Sequence, residues 1–325
     1  MRWIDADAVD RALDYRSLIE ALRAGHRKGI DAVDRLLLGQ PSRAGVADHF
    51  LIWPAWQRGE ALGAKLVTVF PGNEGAEALP AIQALYVLFD GRNGTPLAVI
   101  DGTALTLRKT AADSALAADY LARPDAATLL MVGAGRQAPH QIMAHLAVRP
   151  SLRRVLVWNR TPAKARRLVE TLPLRGIALA LAADLARAVE QADVISCATM
   201  AREPLIKGRW LRPGSHLDLV GGYTNEMREA DDEAVGRARV FVDSRWFTIG
   251  ACGDISGPMA SGVLAKDGIA ADLFELCKGA HPGRRSGEEI TLFKNAGGAH
   301  LDLMAARLAY TRAQAAGDWH ESADI

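Results

Sequence analysis

The chain has 325 residues, 49% hydrophobic and 24% charged, which is the composition of a globular protein large enough for two domains. Its 39 lysines and arginines against 38 aspartates and glutamates give a formal net charge of +1, so no global field favours nucleic acid or an anionic membrane. Three cysteines without C-x-x-C spacing exclude a disulfide framework and indicate a reducing compartment. With neither a signal peptide nor a long apolar run, the sequence predicts a cytoplasmic protein that binds a small molecule.

The first third of the chain predicts an α+β region. Residues 10–30 carry apolar side chains at helical spacing and end near Gly29, which predicts one amphipathic helix. From residue 50 to residue 100, short β-rich runs are separated by turn clusters such as PGNEG and DGRNG. This texture indicates a mainly antiparallel sheet, followed by an alanine-rich helix from about Thr106.

Strands and helices then alternate along the chain. The strands TLLMV, RRVLVWN, DVISCAT and HLDLVGG recur at βαβ intervals, with helices expected over 136–147 and 161–172. The predicted fold class is therefore α/β, with a Rossmann-type doubly wound parallel sheet over roughly residues 120–295 and a separate α+β domain. A final helix is expected over 299–317.

A glycine-rich turn follows the strand TLLMV and opens a helix. It reads GAGRQA, a G-x-G-x-x-A pattern in which the glycines permit a tight turn and close approach of a pyrophosphate to backbone N–H groups. A turn that serves packing alone is the alternative. The candidate cofactor-binding residues here are Gly133, Gly135, Arg136 and Gln137.

The end of the next strand indicates which dinucleotide binds. NAD enzymes usually have an acidic residue there for the ribose 2′-hydroxyl, whereas this chain has Asn159, Arg160 and Thr161. Without a carboxylate to repel a 2′-phosphate, and with a guanidinium to bind it, the sequence favours NADPH over NADH. The alternative is that Arg160 simply lies in solvent.

Two later strand ends supply further candidates, because ligands of a doubly wound sheet bind at its carboxyl edge. Thr199 ends the strand DVISCAT and is expected near the ribose or nicotinamide. Val220 and Gly221 end the strand HLDLV, where the paired glycines suggest close approach of backbone to the nicotinamide, unless they form an ordinary turn.

Several ordered motifs resemble the ornithine cyclodeaminase and mu-crystallin family. They are G-A-K at Gly63 to Lys65, LPAIQALYVLFD, TLRKTAA, VGAGRQA, PGSHLDLVGGYTNEMREADDEAVGRARVFVDS and EEITLFKNAGGAHLD, and the resemblance covers about residues 40–315. It implies a dimerisation and substrate domain over 1–115, completed by the C-terminal helix over 300–325. It also implies an NAD(P)-binding Rossmann domain over 116–299, and a homodimer.

The resemblance further implies that an α-imino or α-amino acid binds against the nicotinamide, with its carboxylate held by basic side chains. Those positions fall on Arg43, Lys65 and Lys109, the last being arginine in most members. The chemistry is consistent, because cationic groups bind carboxylates and a lysine in an apolar strand can have a lowered pKa and protonate an imine nitrogen. Solvated surface charge is the alternative for each residue.

The stretch TNEMREADD, with VFVDS after it, resembles bacterial reductases of Δ1-pyrroline-2-carboxylate and Δ1-piperideine-2-carboxylate more than cyclodeaminases. Two departures from the family's pattern also distinguish between activities within the family. Cyclodeaminases have Asp directly after V-G-G, where this chain has Tyr223, and the glutamate of an E-A-G-D string is replaced by Ala251. Ala81 makes one wall of the implied pocket more apolar. The proton donor is left open among Lys65, Lys109, Tyr223 and water, with Tyr223 kept among the candidate catalytic residues.

The sequence thus predicts an NAD(P)H-dependent ketimine reductase that converts small cyclic α-imino acids, such as Δ1-pyrroline-2-carboxylate, to amino acids such as L-proline. Alternatives are a mu-crystallin-like protein that binds NADPH and a ligand without turnover, an amino-acid dehydrogenase, and an ornithine cyclodeaminase. No metal is expected, because the eight histidines lack ligand spacing.

Overall fold

We describe a computed structural model for residues 1–31, 33–41, 47–73 and 79–321. The helices are α1 (Ala6–Ala12), α2 (Tyr15–Lys28), α3 (Gly102–Leu121), α4 (Gln137–Val148), α5 (Pro162–Thr171), α6 (Leu185–Gln191), α7 (Asp232–Arg237), α8 (Arg245–Thr248), α9 (Gly253–Ala260), α10 (Leu273–Cys277) and α11 (Ala299–Ala316). The strands are β1 (Arg2–Ile4), β2 (Leu36–Gln40), β3 (Asp48–Gln57), β4 (Ala61–Val69), β5 (Ile82–Asp90), β6 (Pro96–Asp101), β7 (Thr128–Val132), β8 (Arg154–Trp158), β9 (Ala178–Leu181), β10 (Val194–Cys197), β11 (His216–Leu219), β12 (Arg239–Val242), β13 (Ile269–Asp272), β14 (Thr291–Lys294) and β15 (His320–Glu321).

The chain divides into two compact units. The first comprises Met1–Lys109 and Gly298–Ile325, and the second comprises Thr110–Gly297. Both boundaries lie a few residues before those expected from the sequence. No described helix is long and apolar enough to cross a membrane.

The first unit is built on a seven-stranded sheet in the order β15-β1-β6-β5-β4-β3-β2. Strands β2 to β6 pair antiparallel, as their alternating texture predicts, while β1 pairs parallel with β6. Helix α11 packs against α2 and against the strands β3, β4 and β5. The apolar stripe of α2 is buried, with Leu18 and Leu22 fully inaccessible.

The N-terminal segment forms two helices where the sequence pattern predicts one. Helix α1 ends at Ala12, and the carboxylate of Asp14 then accepts a hydrogen bond from the N–H of Ser17 to begin α2. A short acid at this position competes with continued helix by capping a new one, which is why the single-helix prediction is wrong. The predicted end is confirmed, because Gly29 follows the last residue of α2.

The second unit is a parallel eight-stranded sheet in the order β13-β12-β14-β11-β10-β7-β8-β9. Strands β8 and β9 extend from β7 in one direction, whereas β10 and β11 extend in the other. The order therefore reverses between β7 and β10, which is where doubly wound sheets bind ligands beyond the carboxyl ends of their strands. The α/β fold class predicted from the sequence is confirmed.

Candidate active site

The glycine-rich turn lies directly after β7, at the point where the strand order reverses. Gly133 has φ of 109°, and a Cβ there would lie 2.6 Å from the carbonyl oxygen of Ala198. Its N–H donates to the carbonyl of Trp158 at 2.8 Å. A side chain is excluded here by both conformation and space, so the turn requires glycine.

The next glycine faces open space. A Cβ on Gly135 would meet no atom within 4 Å, and both Gly135 and Arg136 are exposed. Helix α4 begins immediately afterwards at Gln137, so its first N–H groups and positive dipole end lie beside this space. The arrangement fits the pyrophosphate of a dinucleotide, which requires a cradle of this kind.

The segment after β8 is tied to the glycine-rich turn. The side-chain oxygen of Asn159 accepts from the N–H of Ala134 at 3.2 Å, and its amide group donates to the carbonyl of Thr161 at 2.9 Å. Arg160 and Thr161 are exposed, and Arg160 forms no hydrogen bond or ion pair with any described residue. An unengaged guanidinium thus stands where the adenosine ribose of a bound dinucleotide is expected.

The ends of β10 and β11 complete this edge of the sheet. The N–H of Val220 donates to the carbonyl of Cys197 at 2.8 Å, which keeps the two strand ends side by side. Thr199 and Gly221 follow them and share one buried carboxylate, that of Glu229. Tyr223 lies on the loop after β11 and is 53% exposed.

A second cluster belongs to the first unit. Trp53, Lys65 and Tyr86 stand opposite one another on the adjacent strands β3, β4 and β5, so they share one face of the sheet. The ammonium of Lys65 lies 5.3 Å from the centroid of the Trp53 ring, within range of a cation–π interaction. The face is covered by α11.

Two lysines share a single carboxylate in this cluster. The Nζ of Lys65 is 2.8 Å from Oδ2 of Asp302, and the Nζ of Lys109 is 3.9 Å from Oδ1. All three side chains are buried, with Asp302 fully inaccessible. No other carboxylate among the described residues pairs with either lysine, so the cluster carries one excess positive charge. A buried excess charge of this sign favours binding of an anion.

The same buried environment shifts the pKa values of the ionisable groups in the cluster. Burial lowers the pKa of Lys65, the charge of Asp302 opposes this change and the charge of Lys109 adds to it. Burial and the charge of Asp302 hold the pKa of the Tyr86 phenol well above its usual range. Lys65 is therefore a cation that gives up its proton more readily than a surface lysine does.

The structure brings together two of the three basic residues that the sequence singles out. Lys65 and Lys109 meet at Asp302, whereas Arg43 lies outside the described residues. The neighbouring Arg108 donates to Asp10 at 2.7 Å, so of the two consecutive basic residues Lys109 is the one in the cluster. Sequence reasoning missed Asp302, although it stands in the string KNAGGAHLD that carries part of the family resemblance.

A cleft of about 510 Å³ lies at the opposite, amino edge of the parallel sheet. Its arginines serve the end of α3: Arg149 donates to the carbonyl of Ala118 at 2.7 Å, and Arg284 donates to that of Leu121 at 2.6 Å. These contacts satisfy carbonyls that a helix leaves unpaired at its C-terminus. The cleft is therefore explained by capping, and the carboxyl edge is the stronger candidate for chemistry.

A family model described as ornithine cyclodeaminase/mu-crystallin matches residues 19–317. The chain belongs to this family. It is 45% identical over 300 residues to a Δ1-pyrroline-2-carboxylate reductase of Paracoccus denitrificans, covering 92% of this chain and 93% of that protein.

Two solved structures of related proteins are similar over nearly the full chain. One is the Thermococcus litoralis Δ1-pyrroline-2-carboxylate reductase in complex with NADH and L-proline, with a TM-score of 0.90, 32% identity and coverage of 99% of this chain and 100% of that one. The other is an archaeal alanine dehydrogenase dimer with bound NAD, with a TM-score of 0.89, 26% identity and 98% coverage of both chains. Both of these related structures therefore hold a nicotinamide dinucleotide.

The role of Asp302 as the shared carboxylate of the two lysines predicts its contribution to stability. Asp302→Asn leaves two buried ammonium groups without a counter-charge, and we expect it to lower the free energy of unfolding by about 3 to 5 kcal/mol. Burial already lowers the pKa of Lys65. At a higher pH Lys65 can lose its proton, so the loss of unfolding free energy caused by Asp302→Asn should become smaller. Urea unfolding of the ligand-free protein between pH 7 and pH 10 measures both effects.

Asp318→Asn is the matched control, because Asp318 pairs with Arg11 at 2.7 Å on the surface of the same unit. Water screens that pair, so its loss should leave the unfolding free energy nearly unchanged. Equal losses in the two variants would contradict the assignment of Asp302 as the counter-charge of the buried lysines.

Proposed function

We propose that this protein is an NAD(P)H-dependent reductase of small cyclic α-imino acids, converting substrates such as Δ1-pyrroline-2-carboxylate to L-proline. The observation that carries the proposal is the buried cluster in which Lys65 and Lys109 share one carboxylate. Its excess positive charge matches the single carboxylate of such a substrate. The dinucleotide cradle after β7 and the activities named for the relatives support the same conclusion.

The chain's residues have defined tasks in this reaction. The lysines bind the substrate carboxylate, and Lys65 donates a proton to the ring nitrogen as the C=N bond is reduced to C–N. When bound, the reduced nicotinamide supplies the hydride that the imine carbon accepts. The residues of the glycine-rich turn hold the pyrophosphate, and Arg160 holds the 2′-phosphate of NADPH. The products are the cyclic amino acid and the oxidised dinucleotide.

The NADPH preference rests on charge at the end of β8. Arg160 is exposed without a partner in the described part of the chain, and Thr161 begins α5 with its side chain free of a capping bond. A 2′-phosphate placed there gains charge-assisted hydrogen bonds and meets no carboxylate at Asn159. The solved relatives described above hold NADH and NAD, so the preference is a property we propose for this chain.

We also propose a homodimer formed through the first unit's sheet. Strand β2 is at the edge of that sheet, and Leu36, Leu37 and Leu38 are each about half exposed on it. An uncovered apolar edge strand invites pairing with another chain. The dimer of the archaeal relative supports a second copy of this chain as the partner.

The three cysteines fit a cytoplasmic location. Cys197, Cys252 and Cys277 are all free and buried. A chain that uses its cysteines as unpaired core residues is typical of a reducing compartment, and we propose the cytoplasm.

Lys65→Met tests the role of the ammonium group. Methionine keeps much of the apolar stem and removes the charge, so folding and NADPH binding should survive while turnover of pyrroline-2-carboxylate falls roughly 100-fold or more. NADPH absorbance follows the reaction, and NADPH fluorescence follows binding.

Lys28→Met is the control, since Lys28 is an exposed lysine that pairs with Glu60 on the same unit. The Lys28→Met variant should turn over pyrroline-2-carboxylate at the rate of the unmodified protein. Near-normal kcat/KM of Lys65→Met with every imino acid tried would place the substrate elsewhere. Absence of turnover in the unmodified protein, with NADPH bound, would favour a binding role, and ammonia release from ornithine would favour cyclodeaminase activity.

Arg160→Ala tests the cofactor preference. Loss of one charge-assisted contact should raise the KM for NADPH roughly 10-fold while the KM for NADH changes little. Arg167→Ala removes an exposed charge on α5, the helix that follows Arg160, and should change neither value. Equal KM values for the two cofactors in the unmodified protein would refute the preference.

Leu37→Asp tests the dimer. A charge on the edge strand should convert a dimer to monomers at micromolar concentration, because the aspartate would be desolvated in the interface. Light scattering measures the mass. Val263→Asp, at an exposed apolar residue of the second unit, should remain dimeric. A monomeric unmodified protein would exclude the proposed assembly.

A further inference from the structure

A carboxylate that sequence reasoning did not single out is buried behind the carboxyl edge of the parallel sheet. Glu229 lies in the segment between β11 and α7 and is fully inaccessible. Its Oε1 accepts hydrogen bonds from the N–H of Thr199 at 2.7 Å and from the Thr199 hydroxyl at 2.8 Å. Its Oε2 accepts from the N–H of Gly221 at 2.7 Å. One side chain thus binds the loops that follow two neighbouring strands.

The two loops approach each other as closely as backbone allows. A Cβ on Gly221 would lie 1.8 Å from the carbonyl oxygen of Thr199 and 2.6 Å from the Glu229 carboxylate. No other residue type fits at Gly221 without moving one of the loops. The carboxylate therefore fixes both the spacing and the orientation of the two backbones.

Glu229 is itself held from behind. Its N–H donates to Oδ1 of Asp254 at 2.7 Å, and the Nζ of Lys294 lies 3.1 Å from Oδ2 of Asp254. All three side chains are fully buried. A Cβ on Gly222 would lie 2.6 Å from Oδ2 of Asp254, so the loop after β11 rests on this pair as well. The carboxylate of Glu229 has little freedom to follow a movement of the loops it binds.

Burial of a carboxylate lowers the stability of the fold unless hydrogen-bond donors or opposite charges contact its oxygens. Packing between two loops could be achieved by an apolar side chain, whereas Glu229 supplies two acceptors that match three donors aimed from both loops. The hydroxyl of Thr199 donates its proton to Glu229, and this hydrogen bond orients the Thr199 side chain. A network of this kind stabilises one arrangement of the loops over others.

We propose that Glu229 is a positioning residue for hydride transfer: it fixes the loops after β10 and β11 at the spacing that orients the bound nicotinamide ring. The inference rests on the proposed function, because it takes these loops to flank the nicotinamide. The pyrophosphate and adenosine ends of the dinucleotide bind elsewhere on the same edge, at the glycine-rich turn and at Arg160. Loss of the Glu229 contacts should therefore affect chemistry more than cofactor affinity.

Glu229→Gln is the principal test. The glutamine oxygen can still accept from Thr199, but its NH₂ group then faces the N–H of Gly221, and two donors cannot bond to each other. We expect kcat with pyrroline-2-carboxylate to fall roughly 10- to 100-fold while the KM for NADPH stays within about threefold. The kinetic isotope effect with NADPH deuterated at the transferred position should rise, because hydride transfer becomes rate-limiting.

Glu233→Gln is the matched control. Glu233 is an exposed acid on the neighbouring helix α7, so its substitution makes the same change from acid to amide without touching either loop. It should retain the kcat, the KM and the isotope effect of the unmodified enzyme. A purely structural role for Glu229 predicts a lower Tm of Glu229→Gln with kcat and isotope effect unchanged in the folded enzyme, and that result would overturn the proposal.

Thr199→Val is a second test of the positioning role, to be used if Glu229→Gln does not fold. It keeps the shape of the side chain and deletes the hydroxyl that donates to Glu229, together with the long 3.4 Å contact that this hydroxyl accepts from the N–H of Ala201. A severalfold fall in kcat with a raised isotope effect is expected. Unchanged values would overturn the proposal. Failure of the proposed function is a different result, because it is seen in the unmodified protein as absence of NADPH oxidation with cyclic imino acids.

Discussion

Two buried ammonium groups sharing one carboxylate impose the main electrostatic constraint on the first unit. Lys65 on β4, Lys109 on α3 and Asp302 on α11 come from distant parts of the chain, and each is buried. A charge in this environment is tolerated only with a partner, so the C-terminal helix must return to the N-terminal sheet for the lysines to be stable. The same requirement leaves one positive charge uncompensated. The packing of the C-terminal helix on the sheet and the anion binding that we propose thus have a common physical origin.

The main constraint on the second unit is steric. Loops that follow separate strands approach one another so closely that side chains are excluded at the contact points. Glycine at position 133 is demanded by a left-handed φ and by the carbonyl of Ala198, and glycine at 221 by the carbonyl of Thr199. Backbone groups therefore form most of this edge, and polar side chains such as Asn159 and Glu229 tie them together from behind. A surface made of backbone N–H groups with fixed spacing is suited to a flat ring and a pyrophosphate.

The features that sequence reasoning predicted are those with local signals. The turn after β7, the alternation of strands and helices and the neutral residue at the end of β8 each depend on a few consecutive residues. The break between α1 and α2 was missed because Asp14 reads as one more polar position of a helix until its capping bond to Ser17 is seen. Asp302 and Glu229 could not be assigned roles, since their partners are distant in sequence and only the folded chain shows which charges meet.

Charge balance connects the lysine cluster to the reaction that we propose. With Lys65 and Lys109 protonated and Asp302 ionised, the cluster has a charge of +1, and a neutral imine with one carboxylate brings it to zero. Transfer of a proton from Lys65 to the imine nitrogen then moves charge within a neutral assembly, so no net charge is created in a buried region. The lowered pKa of Lys65 favours this transfer, while the charge of Asp302 opposes the effect of burial and favours the protonated form. A substrate with an additional ammonium group, such as a diamino acid, would instead add charge to a cluster that is already positive, which disfavours it at this position.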